Sequence, residues 1–372
     1  MTPMTDHDDA LIYRIAVTLI PGIGHMNAKK LIAWCGEPDA IFREERKVLM
    51  KIPGMAKVLN NNFNKKELLL RAEQEVKFIT NSRIRPLYYY DDDYPRRLKQ
   101  CADSPLMLYY KGIDNLFEKR MLAVVGTRKA TSYGKRACQQ VIGGFSDEDV
   151  VIASGMAYGI DSCAHRKALS CGLQTIGVLG HGLDRIYPNE NRNMAARMLQ
   201  QGGLLTEFLS QSKPDRENFP KRNRIIAGLS DAVLVVESAT KGGAIITAEI
   251  ANSYNRDVFA IPGRMYDPYS DGCHLLIRRN IAALTRSADD IRYSMGWEGT
   301  VQARKSKTEL LGKYDHDEKV ILNIILEKER APIDDIVLIA GLGASKAASI
   351  LLKLEFEGVI TGLPGKLYEI RK

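Results

Sequence analysis

The 372-residue sequence contains no apolar run that approaches the ~18 residues a bilayer-crossing helix needs, which excludes an integral helical membrane protein. Its first residues, MTPMTDHDDA, are acidic and carry no apolar h-region, so a secretory signal is not expected there. Paired cysteines are also missing. Cys35, Cys101, Cys138, Cys163, Cys171 and Cys273 are scattered without a CxxC spacing. That pattern suits neither a zinc site nor a disulfide scaffold, and it fits reduced thiols in a cytoplasm. Hydrophobic residues at 45% and charged residues at 26% are ordinary globular values and exclude a mostly disordered chain. What is present in excess is positive charge: 53 Lys and Arg against 45 Asp and Glu, a net +8. An acidic partner such as nucleic acid is one consequence of that balance.

The length suits two or three domains. Over residues 8–80, apolar side chains recur at helical spacing in LIYRIAVTLI and AKKLIAWCG, and Pro21-Gly22-Ile23 and Pro53-Gly54-Met55 break the pattern. The segment Leu19-Ile20-Pro21-Gly22-Ile23-Gly24 followed by Ala28-Lys29-Lys30-Leu31 has helix-hairpin-helix spacing, which would present backbone amides and lysines to a phosphate. A helical domain is expected over 1–80. From 84 to 296 short Val-, Ile- and Leu-rich runs alternate with helical stretches: MLAVVG (121–126), DVVIASG (149–155), QTIGVLG (174–180), GGLLTEF (202–208), DAVLVVES (231–238) and RDVFAIPG (256–263). Continuous β-branched runs mark strands buried on both faces, so the expected fold is α/β, a Rossmann-like doubly wound parallel sheet over 81–298. Residues 299–314 read as a basic linker. Residues 315–372 give helix, short helix, turn, longer helix and a hairpin turning at Pro364-Gly365, the pattern of a winged helix.

In an open parallel sheet, ligands bind beyond the carboxyl ends of the strands, where glycines let backbone amides approach a phosphate. Five segments occupy such positions. Gly126-Thr127-Arg128 follows the first run, with hydroxyls from Thr127 and Ser132 and a bidentate phosphate donor in Arg128. Ser154-Gly155 and Gly159 enclose a second loop, which is not a GxGxxG fingerprint; Asp161 there suits a helix cap. Gly180-His181-Gly182 precedes Tyr187, a ring suited to stacking, and no Ser or Cys nucleophile is tied to His181 by any motif. Phe219-Pro220-Lys221-Arg222-Asn223-Arg224 places three cations beside a ring, a combination that suits a nucleic-acid backbone with one base stacked. Lys241 and Gly242 open another helix as an anion site, with Glu249 one to two turns in. No cofactor, metal or catalytic residue is expected from this set.

The segments VGTRKATSYG, SGMAYGIDSCAH, VLGHGLDRIYPNEN, GGLLTEF, FPKRNRIIAGLSDAVLVVESA, KGGAIITAEIA, VFAIPG and SDGCHLLI resemble, in order, the bacterial DNA-processing protein A family (DprA, also called Smf). The resemblance implies a cytoplasmic single-stranded DNA-binding protein that forms homodimers through its Rossmann-like domain. It also implies loading of the RecA recombinase and protection of incoming DNA in natural transformation. Carried over by motif, DNA contacts fall to Gly126, Thr127 and Arg128, and also to Lys221, Arg222, Asn223, Arg224 and Lys241. Thr127 stands where serine is common, and Gly243 where the family has a serine in its turn.

Two other functions suit parts of the chain. A nucleotide phosphoribohydrolase on a similar sheet would use a PGGxGTxxE motif, which KGGAIITAE matches in its Gly-Gly and in Glu249 but not in the phosphate turn. A winged-helix transcription regulator would need a cationic recognition helix, yet SKAASILLKLEFEG has only Lys346 and Lys353 against Glu355 and Glu357.

Overall fold

The computed structural model describes residues 6–55, 59, 64–146, 148–297, 314–328 and 330–370. The chain divides into two compact units, Met1–Trp297 and Glu298–Lys372. Apart from Tyr314, the basic stretch 299–314 lies outside the described residues.

The first unit is built on a nine-stranded sheet in the order β1-β2-β6-β5-β4-β3-β7-β8-β9. Its strands are β1 (Arg85–Tyr88), β2 (Met107–Gly112), β3 (Arg120–Val125), β4 (Val150–Ser154) and β5 (Thr175–Val178). They continue with β6 (Gly202–Thr206), β7 (Ala232–Val235), β8 (Asp257–Ala260) and β9 (Ala283–Leu284). From β6 to β9 all neighbours are parallel, and the Val- and Ile-rich runs are buried on both faces as their composition requires. The sequence pattern did not disclose β1 and β2, which extend the sheet as antiparallel strands. Their Tyr-rich composition, with Pro86 inside β1, gives no apolar run of the kind the central strands show.

Helices Ser132–Gly143, Ile160–Ser170, Arg192–Gln201, Asn218–Leu229 and Gly243–Ser253 connect the parallel strands. The chain winds outward from β3 through β4 and β5 to β6, then returns to place β7 on the other side of β3. The order therefore reverses at β3, the switch point beside which sheets of this kind ordinarily bind their ligands.

The residues expected to form a separate domain over 1–80 pack against the β1–β2 edge of the same unit. Ile15, Leu31, Ile41, Leu49 and Ile79 share one core with Tyr88, Leu106, Met107 and Tyr109. Between helices Asp6–Thr18 and His25–Cys35 the hairpin turns at Gly22, whose φ of +77° suits a residue without a Cβ. No single described helix is long and apolar enough to cross a membrane.

The second unit is a winged helix: helices His316–Lys328, Ile333–Ala340 and Ala344–Phe356 with strands β10 (Ala331–Pro332), β11 (Ile360–Leu363) and β12 (Leu367–Ile370). A capping box starts it. Glu318 N–H donates to the Asp315 carboxylate (2.9 Å), and Asp315 N–H donates back to that of Glu318 (3.0 Å). The β11–β12 hairpin turns at Pro364-Gly365-Lys366, as the sequence indicated.

Candidate nucleic-acid interface

At the switch point beside β3, the N-terminus of helix Ser132–Gly143 would ordinarily offer free amides to an anion. Here the chain's own Glu237, which is buried, fills it. Its carboxylate accepts the Thr131 N–H (2.9 Å) and the Thr131 hydroxyl, while Thr131 Oγ1 caps the helix by accepting Gly134 N–H (3.1 Å). A Cβ on Gly134 would stand 2.1 Å from the Glu237 carboxyl, so that glycine makes room for a side chain rather than for a ligand. The Glu237 carbonyl accepts the Thr127 N–H (2.7 Å), and Lys129 N–H donates to Thr127 Oγ1 (3.1 Å). Thr127 is thus held within its own loop, and Arg128 projects from it, exposed.

The loop after β4 is braced in the same way. Ser154 Oγ donates to the Val124 carbonyl (2.6 Å), which turns this hydroxyl into the sheet and away from any phosphate. A Cβ on Gly155 would lie 1.3 Å from Arg222 Nη1, because the buried Arg222 guanidinium passes directly beneath. Gly159, at φ +80°, brings the loop against the Thr127 carbonyl, which a Cβ would approach to 2.2 Å. Asp161 does not cap its helix. Its carboxylate accepts the Ala157 N–H (3.4 Å) and faces Arg222 Nη1 at 3.9 Å, and burial pushes its pKa up.

Between the loops after β3, β4 and β5 lies a cavity lined by Arg128, Gly155, Tyr158, His181, Tyr187 and Phe219 among others. Phe219 stands at the start of helix Asn218–Leu229, and the Arg128 guanidinium covers its ring at 4.8 Å. Tyr158 and Tyr187 are exposed at the rim, and the Tyr158 hydroxyl donates to Glu190 (2.8 Å). His181 is buried, with Nδ1 2.9 Å from the Gly182 carbonyl, and burial pushes its pKa down, so the ring stays neutral near pH 7. Its Nε2 is buried without a hydrogen-bond partner among the described residues, and the ring forms part of the cavity wall.

The cations of 221–224 do not form one surface. Lys221 is exposed, but Arg222 is only 4% exposed and donates to the Val178 carbonyl (3.3 Å). Asn223 is buried and donates to the Gly243 carbonyl (3.3 Å), tying together the helices Asn218–Leu229 and Gly243–Ser253. Arg224 points to the opposite side, donating to the Asp103 carbonyl (2.7 Å) and to the buried Glu207 carboxylate. His25 Nε2 meets the same carboxylate at 2.6 Å. Lys29 of the hairpin is also occupied. It donates to Ser104 Oγ (2.6 Å) and lies over the Tyr89 ring at 3.6 Å, and burial together with the Arg224 charge pushes its pKa down to about 8. Lys30, Lys241 and Gly242 are exposed.

Sequence reasoning missed Glu237; the available signal was a lone carboxylate directly after a wholly buried strand. Glu249 is exposed, 3.8 Å from Arg279 Nη1, and does not line the cavity. In the winged helix, Lys346 pairs with Asp317 and Lys353 with Glu318 (2.5 Å), so both cations of the supposed recognition helix are neutralised within the module.

The profile of the family described as DNA recombination-mediator protein A matches residues 85–296, and that of the DprA winged helix domain matches 306–366. The chain belongs to the DprA family. Protein Smf of Synechocystis sp. is 33% identical over 404 residues, 96% of this chain and 98% of its own length. The DNA processing protein DprA of Streptococcus pneumoniae is 42% identical over 199 residues, 54% of this chain and 70% of its own. The X-ray structure of DprA from Streptococcus pneumoniae superposes with a TM-score of 0.63 at 33% identity, covering 76% of this chain and 97% of that one. A structure of DprA from Helicobacter pylori, described for its single-stranded DNA binding mode, gives 0.53 at 27% identity, covering 58% and 97%.

Proposed function

We propose that this DprA-family chain is a non-enzymatic recombination mediator that binds single-stranded DNA at the carboxyl ends of β3, β4 and β5. The observation that carries this reading is the cavity in which an exposed guanidinium, Arg128, sits over the ring of Phe219 with Tyr158 and Tyr187 at the rim. Rings stack any base, and cations take the backbone phosphates, which together suit a single strand and not a duplex. The proposed phosphate contacts are Arg128, Lys221 and Lys241, with Gly126, Thr127 and Gly242 shaping the loops that carry them. Ser154, Gly155, Gly159, Arg222, Asn223 and Arg224 support the surface from beneath.

Glu237, seated on the helix N-terminus where a dinucleotide's pyrophosphate would lie, supports DNA over a nucleotide cofactor as the ligand. In the cell, the proposed role is to protect incoming strands and load RecA during natural transformation, as a homodimer through the Rossmann-like domain, in the cytoplasm.

The test is binding of a labelled oligonucleotide, single-stranded against duplex, across a salt series. Single strands should bind more tightly, and Arg128→Ala should weaken them by about 1–3 kcal/mol. Equal affinity for both forms, or an Arg128→Ala variant of unchanged affinity, would remove the strand from this cavity. The RecA role is read separately, from the rate of RecA filament assembly on strands coated with single-strand-binding protein.

A further inference from the structure

The winged-helix unit differs in charge from the rest of the chain. Residues 298–372 contain twelve Asp and Glu against twelve Lys and Arg, whereas 1–297 contain 33 against 41. Its helix Ala344–Phe356 offers DNA no free cation, since Lys346 and Lys353 are held by Asp317 and Glu318. That helix instead exposes a stripe at i, i+4, i+7 and i+11: Ser345, Ser349, Leu352 and Phe356, with Ala348 beside it. Leu352 is 55% and Phe356 84% exposed, a large apolar area to leave in water.

Two features of the stripe specify what covers it. Side-chain size is graded along the helix, small at the N-terminal half and large at the C-terminal half. The charge is graded against the helix dipole. Gly343 gives the N-terminus no side-chain cap, its first turn has no acid, and Glu355 and Glu357 sit at the C-terminal end, where acids are unfavourable. An antiparallel copy of the same helix answers both gradients. Phe356 of one chain then lies over Ser345 of the other, Leu352 over Ser349, and each acidic end meets an uncapped N-terminus.

We propose that helix Ala344–Phe356 is a homotypic docking surface, on which a second copy of this chain pairs antiparallel about a two-fold axis near residues 350 and 351. The contact uses no residue that lines the DNA cavity.

Sedimentation velocity of the full chain over a concentration series tests it. The wild type should pass beyond the homodimer proposed for the Rossmann-like domain in a further association step that doubles the mass of that dimer. Ser345→Phe and Phe356→Ser should each abolish the step, the first although it adds apolar surface. The double variant, with the two sizes exchanged, should restore it. Phe356→Ser leaving the step in place would overturn the proposal. So would loss in both single variants without rescue in the double, which would mean that another partner or register uses this face. Both positions are exposed, so folding is preserved, and circular dichroism of each variant verifies it.

Discussion

The three cations of Lys221, Arg222 and Arg224 are adjacent in sequence but should separate cleanly on mutation. Arg224 donates to the carboxylate of Glu207, a side chain only 3% exposed, and to the Asp103 carbonyl. Removing the guanidinium leaves Glu207 with His25 alone, and breaking a buried pair from one side costs about 3–5 kcal/mol. Arg222→Ala similarly abandons the buried Asp161. The 3.9 Å separation is loose, and Asp161 is already biased toward its neutral form, so the cost falls at the lower end, about 3 kcal/mol. Lys221→Ala removes an exposed side chain and should stay within about 0.5 kcal/mol of wild type. In DNA binding the ranking inverts. Lys221→Ala should flatten the slope of log K against log salt by about 0.7, the value of one single-strand phosphate contact. Arg224→Ala should leave that slope alone under conditions where the variant is folded. Urea unfolding gives the first quantity and fluorescence anisotropy across a salt series the second. If Lys221→Ala unfolded early, or Arg224→Ala were stable and lost a phosphate contact, the assignment of roles would be wrong.

Three further outcomes follow from the same packing. Gly155→Ala drives a methyl into the Arg222 guanidinium and should cost about 1–3 kcal/mol in urea unfolding; a neutral result would mean that Arg222 can move aside. His165 is buried against Thr175, and burial pushes its pKa down to about 3, so it is neutral when folded and takes up a proton on unfolding below about 6.5. Its contribution is therefore complete above 6.5 and is lost as pH falls toward 3. Between 6.5 and 5 the wild type should lose about 2 kcal/mol more than His165→Gln, and parallel stability-against-pH curves would refute this. Glu237→Ala should lose stability and open the helix N-terminus, so that sulfate raises its melting temperature more than the wild type's; an equal sulfate response would show that the carboxylate was not filling an anion site.

Much of the architecture is legible in residue patterns because burial dictates them. MLAVV, DVVIAS and DAVLVV have no polar face to turn to water, so they become the central parallel strands β3, β4 and β7. The winged helix reads equally well, since its helix, short helix and longer helix follow in order and Pro364-Gly365 marks the hairpin turn. The antiparallel β1–β2 edge was not legible. Tyr88 and Tyr109 are buried by the N-terminal helices, so their contribution to a core exists only once those distant segments meet.

The cavity residues stood out in sequence for separate reasons: Arg128 as a cation after a glycine turn, Tyr187 as a ring on a strand-end loop, and Phe219 as a ring beside cations. The others misled for a geometric reason. Successive helical residues point about 100° apart, so a run of four such as Lys221 to Arg224 sweeps nearly the whole circumference. One of them meets solvent, two enter the interior and one reaches back to Glu207 and Asp103. Glycines are ambiguous for a related reason. A missing Cβ records that something approaches the backbone, not whether it is a ligand. At Gly134 it is the Glu237 carboxylate and at Gly155 the Arg222 guanidinium, each a charged group such as a phosphate or its counter-ion would be. This part of the strand-end surface is thus a site in which the chain has supplied its own charges, and the groups left facing outward, a few cations and rings, suit an extended polymer better than a small anion.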